Sequence, residues 1–230
     1  MDGMTAGAKA KRSAKGRGDE LGDGAQPITI TAPNMRMVTF HIIGTAPLVI
    51  SRFPAKAMQA MMEKQAAGST ARGKKKRDAK DFDAAFNEAR HISTDGWDGV
   101  HAGAFRSGMI SACRLVNFKM TLAKMSVFVE PHGFDRIDGT PLVRILGPEP
   151  IRSDLPTRNA TGVIDIRTRP MWREWEMDVT VRFDADQFTA TDIANLMSRV
   201  GEQVGIGEGR ADSKNSAGVG WGSFRIQERP

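Results

Sequence analysis

The chain of 230 residues is 40% hydrophobic and 26% charged, enough to bury one sizeable core, and carries a formal net charge of +6. No apolar run reaches the ~18 residues that span a bilayer, and the first residues lack the apolar core of a secretory signal, so no membrane partner and a cytoplasmic location are expected. The single cysteine, Cys113, excludes an internal disulfide framework.

Residues 1–27 are rich in Gly, Ala, Lys and Asp, with Leu21 the one large aliphatic side chain besides two methionines. Such a composition cannot fund a core, and a disordered tail is expected. Met35 to Ile43 then alternates as a strand does, with Val38, Phe40 and Ile42 on one face and Met37, Thr39, His41 and Ile43 on the other. The proline-bounded run Pro47 to Pro54 leads into a helix over Ala55 to Ala67, with Met58, Met61 and Met62 on one side and Gly68 at its end.

Between Ser69 and Lys80 stand Arg72, Lys74, Lys75, Lys76, Arg77 and Lys80 against one acid, Asp78, a local charge of +5. This basic loop reads either as a polyanion contact, where each cation that neutralises a phosphate releases counterions, or as a solubilising loop. Asp81 to Arg90 fits a short helix. Ala102 to Asn117 fits a longer one whose stripe is Phe105, Met109, Ile110, Cys113 and Val116.

Met125 to Val129 and Leu142 to Leu146 read as two short strands of a hairpin around the turn-rich Phe134 to Gly139. Val163 to Arg169 places Asp165, Arg167 and Arg169 on one face of a strand that Pro170 closes. Trp175 to Phe183 is the cleanest strand, apolar at Trp175, Met177, Val179, Val181 and Phe183 and polar between them. Thr189 and Asp192 form a capping box ahead of a helical stripe of Ile193, Leu196, Met197 and Val200. Six glycines from Gly205 to Gly222, with Arg210 and Lys214 among them, make a loop whose backbone can adopt positive φ, and a last strand follows over 222–226.

In order this is βαββαβ, the signature of an α+β, ferredoxin-like and RRM-like core, in one domain over 35–226 with a large insertion over 44–101 after the first strand. For an enzyme the constellations are poor. Gly205 to Gly209 follows a helix, where a dinucleotide loop must follow a strand, and no Walker loop occurs, so no cofactor is expected. His41, His91, His101 and His132 stand apart; Asp95 and Asp98 fit turn chemistry; Cys113 falls on a core stripe.

Binding fares better. Trp172, Trp175 and Trp221 offer ring faces, and Arg167, Arg169, Arg210 and Lys214 offer charge, the combination that holds single strands without reading sequence. Trp175 also fits a buried strand face, whereas Trp172 and Trp221 sit at strand ends. Arg210 lies in backbone able to bring N–H groups, such as those of Gly207 and Gly209, to the same phosphate.

The βαββαβ order, with a basic glycine-rich loop (Gly205 to Gly222) between the second helix and the last strand, resembles the RAMP superfamily of RNA-binding proteins in CRISPR effector complexes. That resemblance implies a glycine loop lying against a nucleic-acid backbone and an insertion, here 44–101, like those of subunits that polymerise along a guide. More locally, Gly44 to Phe53 with the Met-rich helix, the lysine-rich loop, Gly207-Glu-Gly-Arg210 and Gly220 to Phe224 is similar to a family of tailed-bacteriophage proteins. The expectation is a non-enzymatic protein that coats or anneals single-stranded RNA or DNA and self-associates along it. The rivals are a phage virion assembly protein and an RNA-processing nuclease using His91 or His101.

Overall fold

The computed structural model describes residues 30–66, 79–158, 164–213 and 218–227. The tail over 1–27, Arg72, Lys74, Lys75, Lys76 and Arg77 of the basic loop, and Lys214 of the glycine loop lie outside the described residues. The chain divides into two units, Met1–Ala32 and Pro33–Pro230, and the second holds every element below.

In chain order these are β1 (Met35–Gly44), β2 (Leu48–Val49), α1 (Ala55–Ala66), α2 (Phe82–Glu88), β3 (Gly99–His101), α3 (Ala102–Ala112) with a 3-10 turn (Cys113–Val116), α4 (Met120–Ser126), β4 (Val127–Glu130), β5 (Gly133–Phe134), β6 (Pro141–Arg144), β7 (Ile151–Arg158), β8 (Ile164–Trp172), β9 (Glu176–Asp184), α5 (Ala190–Arg199) with a π turn (Val200–Val204), and β10 (Phe224–Gln227). The architecture is α+β, with antiparallel sheets.

The largest sheet has the order β10-β1-β9-β4, every pair antiparallel. Its core comes from the period-2 pattern of β1 and β9: Val38, Phe40 and Ile42 stand opposite Val181, Val179 and Met177. That apolar face meets Phe105 and Met109 of α3 and Ile193 and Met197 of α5, all buried. Each such side chain contributes about 1.5–3 kcal/mol by leaving water. Phe224 of β10 lies edge-on to both Phe105 and Trp175, with centroids 6.1 Å apart in each pair.

Two segments interrupt this core. The first, after β1, contains β2 and β3; the second, between β4 and β9, contains β5 to β8. They are knitted together, since β2-β8-β7 and β3-β6-β5 are both three-stranded sheets that draw strands from each. The expected hairpin of 125–129 with 142–146 is therefore corrected: β4 pairs with β9, while β6 pairs with β3 and β5. Pro170 does not close its strand. β8 runs on to Trp172, because β2 pairs only at Leu48–Val49 and Pro170 then serves as an acceptor, from Ile50 N–H at 3.3 Å. The helix expected over 102–117 is α only to Ala112; it tightens and stops at Asn117, whose φ of 54° leaves Val116 exposed.

Candidate functional site

The helix that leads into the glycine loop is defined at both of its ends. Thr189 accepts from Asp192 N–H, and Asp192 accepts from Thr189 N–H at 2.8 Å, which starts α5. At the other end the helix widens by one residue, so that Gly205 N–H reaches Val200 O at 2.7 Å. The six glycines at 205, 207, 209, 218, 220 and 222 all have positive φ. At three of them backbone fills the space a side chain would need: a Cβ at Gly207 would overlap the Val49 carbonyl, one at Gly218 the Arg210 carbonyl, and one at Gly222 the Ile206 carbonyl.

Several loop amides are spent on the fold. Glu208 N–H donates to Val49 O at 2.8 Å, Gly222 N–H to Pro47 O at 2.8 Å, Asp212 N–H to Val204 O at 3.0 Å and Val219 N–H to Gly209 O at 2.9 Å. These four amides are committed within the fold; those of Gly207 and Gly209 are not among them. The loop also offers side chains. Arg210 donates to Gly207 O at 3.0 Å, and Glu208 faces β8.

On β8, Asp165, Arg167 and Arg169 share one face, as the period of 2 requires. Arg169 Nε donates to Glu208 Oε2 at 2.6 Å, and Arg167 lies 3.9 Å from Glu208 Oε1. At the other end Lys80 pairs with Asp165 at 3.1 Å and with the Ile166 carbonyl. The structure thus brings the exit of the basic loop, the β8 arginines and Arg210 onto one line. The linking residues, Asp165 and Glu208, are acids that sequence reading left unassigned.

Beside this line are two adjoining cavities of about 400 and 390 Å³, which share His101, Ala104, Gly207 and Arg210. One is floored by Ser107, Gly108 and Ser111 of α3, small residues that leave room between the helix and the loop. Its far wall is Asp212, which accepts from Arg114 at 2.8 Å. The Ser111 hydroxyl and then Arg114 hold the Asp212 carboxyl below the usual carboxylate range, against its partial burial. His101 accepts from Gly103 N–H at 2.7 Å through Nδ1, so in the neutral ring Nε2 carries the proton.

The tryptophans separate. Trp172 is 2% exposed and packed in the core beside Leu48 and Val49, so no ring face is left for a base, and the assignment of Trp172 to binding is corrected. Trp175 is equally buried and donates its indole N–H to Ala46 O at 2.8 Å. Trp221 is half-buried within the loop, against Gly209. The open face of the largest sheet is not a ring platform either: its positions hold Thr39, His41, Asp178, Thr180 and Arg182, with Thr39 bonded to Thr180 at 2.8 Å and His41 to Asp178 at 2.9 Å. Phe128 lies there under the guanidinium groups of Arg106 and Arg182.

Sequence reading also missed a charge cluster in which Arg52 and Asp135 are buried and Asp138 is exposed. His91 Nδ1 lies 2.8 Å from Asp135 Oδ2, and His91, Asp135 and Asp138 bring ligand-type atoms within 4.8 Å of one another. Arg52, 4% exposed, sits 3.7 Å from Asp135 and 3.5 Å from Asp138 and supplies the cation there. The cluster pins the strap after β2 to the 135–138 turn, and His91 is committed to it. Asp98 is likewise paired, with Arg90, whose guanidinium is pushed up by that hydrogen bond against burial; Asp95 stands in an exposed turn. Cys113 is buried, and burial pushes its thiol up. No family model and no curated protein matches this chain.

Proposed function

We propose that this chain is a non-enzymatic, single-stranded nucleic-acid-binding protein with a ferredoxin-like core. The core reading is supported by the strand order β10-β1-β9-β4, with α3 between β1 and β4 and α5 between β9 and β10 in the chain. The observation that carries the function is the line of cationic groups: Lys80 at the exit of the basic loop, Arg167 and Arg169 on β8, and Arg210 in the glycine loop, set beside a cavity a single strand can enter. Lys214 and the cations from Arg72 to Arg77 extend that charge in sequence.

The strand follows this line rather than the open face of the sheet, where aromatic groups for stacking are scarce. RNA and DNA are both substrates of a site that grips phosphates. Self-association along the strand belongs to the same reading, and the exposed Met58, Met61 and Met62 of α1 are apolar side chains that a neighbouring subunit would cover. A phage origin accords with the local resemblance.

The test is fluorescence anisotropy of a labelled single strand of about 16 nucleotides, alone and annealed to its complement. The expected result is binding of the single strand in preference to the duplex. Absence of binding at low salt, or equal affinity for both forms, would overturn the reading.

A further inference from the structure

Glu208 sits where a ligand of the proposed kind should be. Its two carboxylate oxygens face different arginines, Oε2 toward Arg169 at 2.6 Å and Oε1 toward Arg167 at 3.9 Å. Two oxygens of one anion shared between two guanidinium groups is also how a phosphodiester presents its two non-bridging oxygens. The pair borders the cavity that Ser51, His91, His101 and Arg210 line.

Two observations separate the side chain of Glu208 from the framework. Its backbone is anchored independently, by Glu208 N–H to Val49 O at 2.8 Å and by Gly207 seated against that same carbonyl. Its side chain is 25% exposed, so it can turn to water without uncovering a core, and Arg167 is 42% exposed. The ion pair is therefore one that an outside anion can replace: the arginines stay on β8, the loop stays on β2, and the glutamate side chain rotates away.

We propose that Arg167 and Arg169 form a discrete phosphate subsite which the carboxylate of Glu208 fills in the unbound protein, an internal anion that the phosphate of an incoming strand displaces. This rests on the nucleic-acid reading above. Glu208 then lowers affinity for any strand and sets a threshold: a polyanion with several phosphates along the line displaces it, whereas a lone anion does not.

The prediction is opposite in sign to that for a strut that aligns the arginines. Glu208→Gln keeps the volume and removes the charge, so it should tighten binding of a labelled single strand by about 3- to 10-fold. It should also steepen the slope of log K against log salt by about 0.7, because the arginine charge that the glutamate cancelled is then available to neutralise one more phosphate, which releases its condensed counterion. Glu208→Asp, too short to reach both arginines, should tighten binding by less and carries the test if the glutamine variant melts early. Affinity that is unchanged or weaker in a folded variant would overturn the proposal while leaving the binding reading intact. Failure of wild type and both variants to bind at low salt would overturn both.

Discussion

Lys80 Nζ lies 3.1 Å from Asp165, and this ion pair fixes where the basic loop returns to the fold: on the β8 face that carries Arg167 and Arg169. Both side chains are more than a third exposed, so the pair itself adds little stability. Its consequence is positional. Lys80, the last cation of the basic run, thereby joins the β8 face that Glu208 links to the glycine loop.

Replacing Lys74, Lys75, Lys76 and Arg77 together by alanine should therefore flatten the salt dependence of binding. At about 0.7 per neutralised phosphate on a single strand, the slope should fall by up to about 3. Denaturant unfolding of the same samples, expected to be unchanged, keeps an effect on binding apart from one on folding. An unaltered slope would make the loop a solubilising one.

Trp172 and Arg169 stand three residues apart on opposite faces of β8 and should behave oppositely. Trp172→Ala removes a ring that is 2% exposed and should cost about 3–5 kcal/mol in denaturant unfolding, with little change in the affinity of the protein that remains folded. Arg169→Ala should weaken binding, with a smaller effect on stability. Anisotropy and unfolding on the same samples separate the two.

Gly222→Ala tests the loop. At φ of 69° a side chain is strained, and its Cβ would overlap the Ile206 carbonyl, so the two arms of the loop must move apart. A cost of about 1–3 kcal/mol is expected from the backbone strain, with reduced affinity as Arg210 moves. Thermal melting read beside anisotropy checks both.

The start of α5 gives a pH prediction. Hydrogen bonds from the Thr189 backbone and then its hydroxyl lower the Asp192 carboxyl pKa, against slight desolvation. A folded pKa below the unfolded value, about 3.9, contributes stability that is present above that value and is lost as pH falls through the folded one. Thr189→Ala should cost about 1 kcal/mol near neutral pH, and the gap from wild type should narrow below about pH 4. Urea midpoints across that range measure it.

What could be read from the sequence was local. The alternation in β1 and β9 and the Thr189 box on α5 each repeat within ten residues, so a face or a cap follows from spacing. The pairing of β4 with β9 gives no such signal. Val127 faces Phe183 across a whole second insertion, and two strands near in sequence, β4 and β6, part company. Trp172 was misplaced because Pro170 looked like a strand end, when it lies opposite the point where a two-residue strand stops. The cluster of His91, Asp135 and Arg52 and the link of Arg169 to Glu208 join residues tens of positions apart, and charge alone does not say which acid meets which base.

The central claim is that the β8 arginines and the glycine loop grip phosphates. The most direct measurement is a salt titration of single-strand binding by wild type and by the Arg167→Ala, Arg169→Ala double variant. The account predicts that log K falls linearly with log salt for wild type and that the double variant, still folded, has lower affinity and a slope shallower by about 1. Wild-type affinity indifferent to salt, or identical slopes for the two proteins, would contradict it.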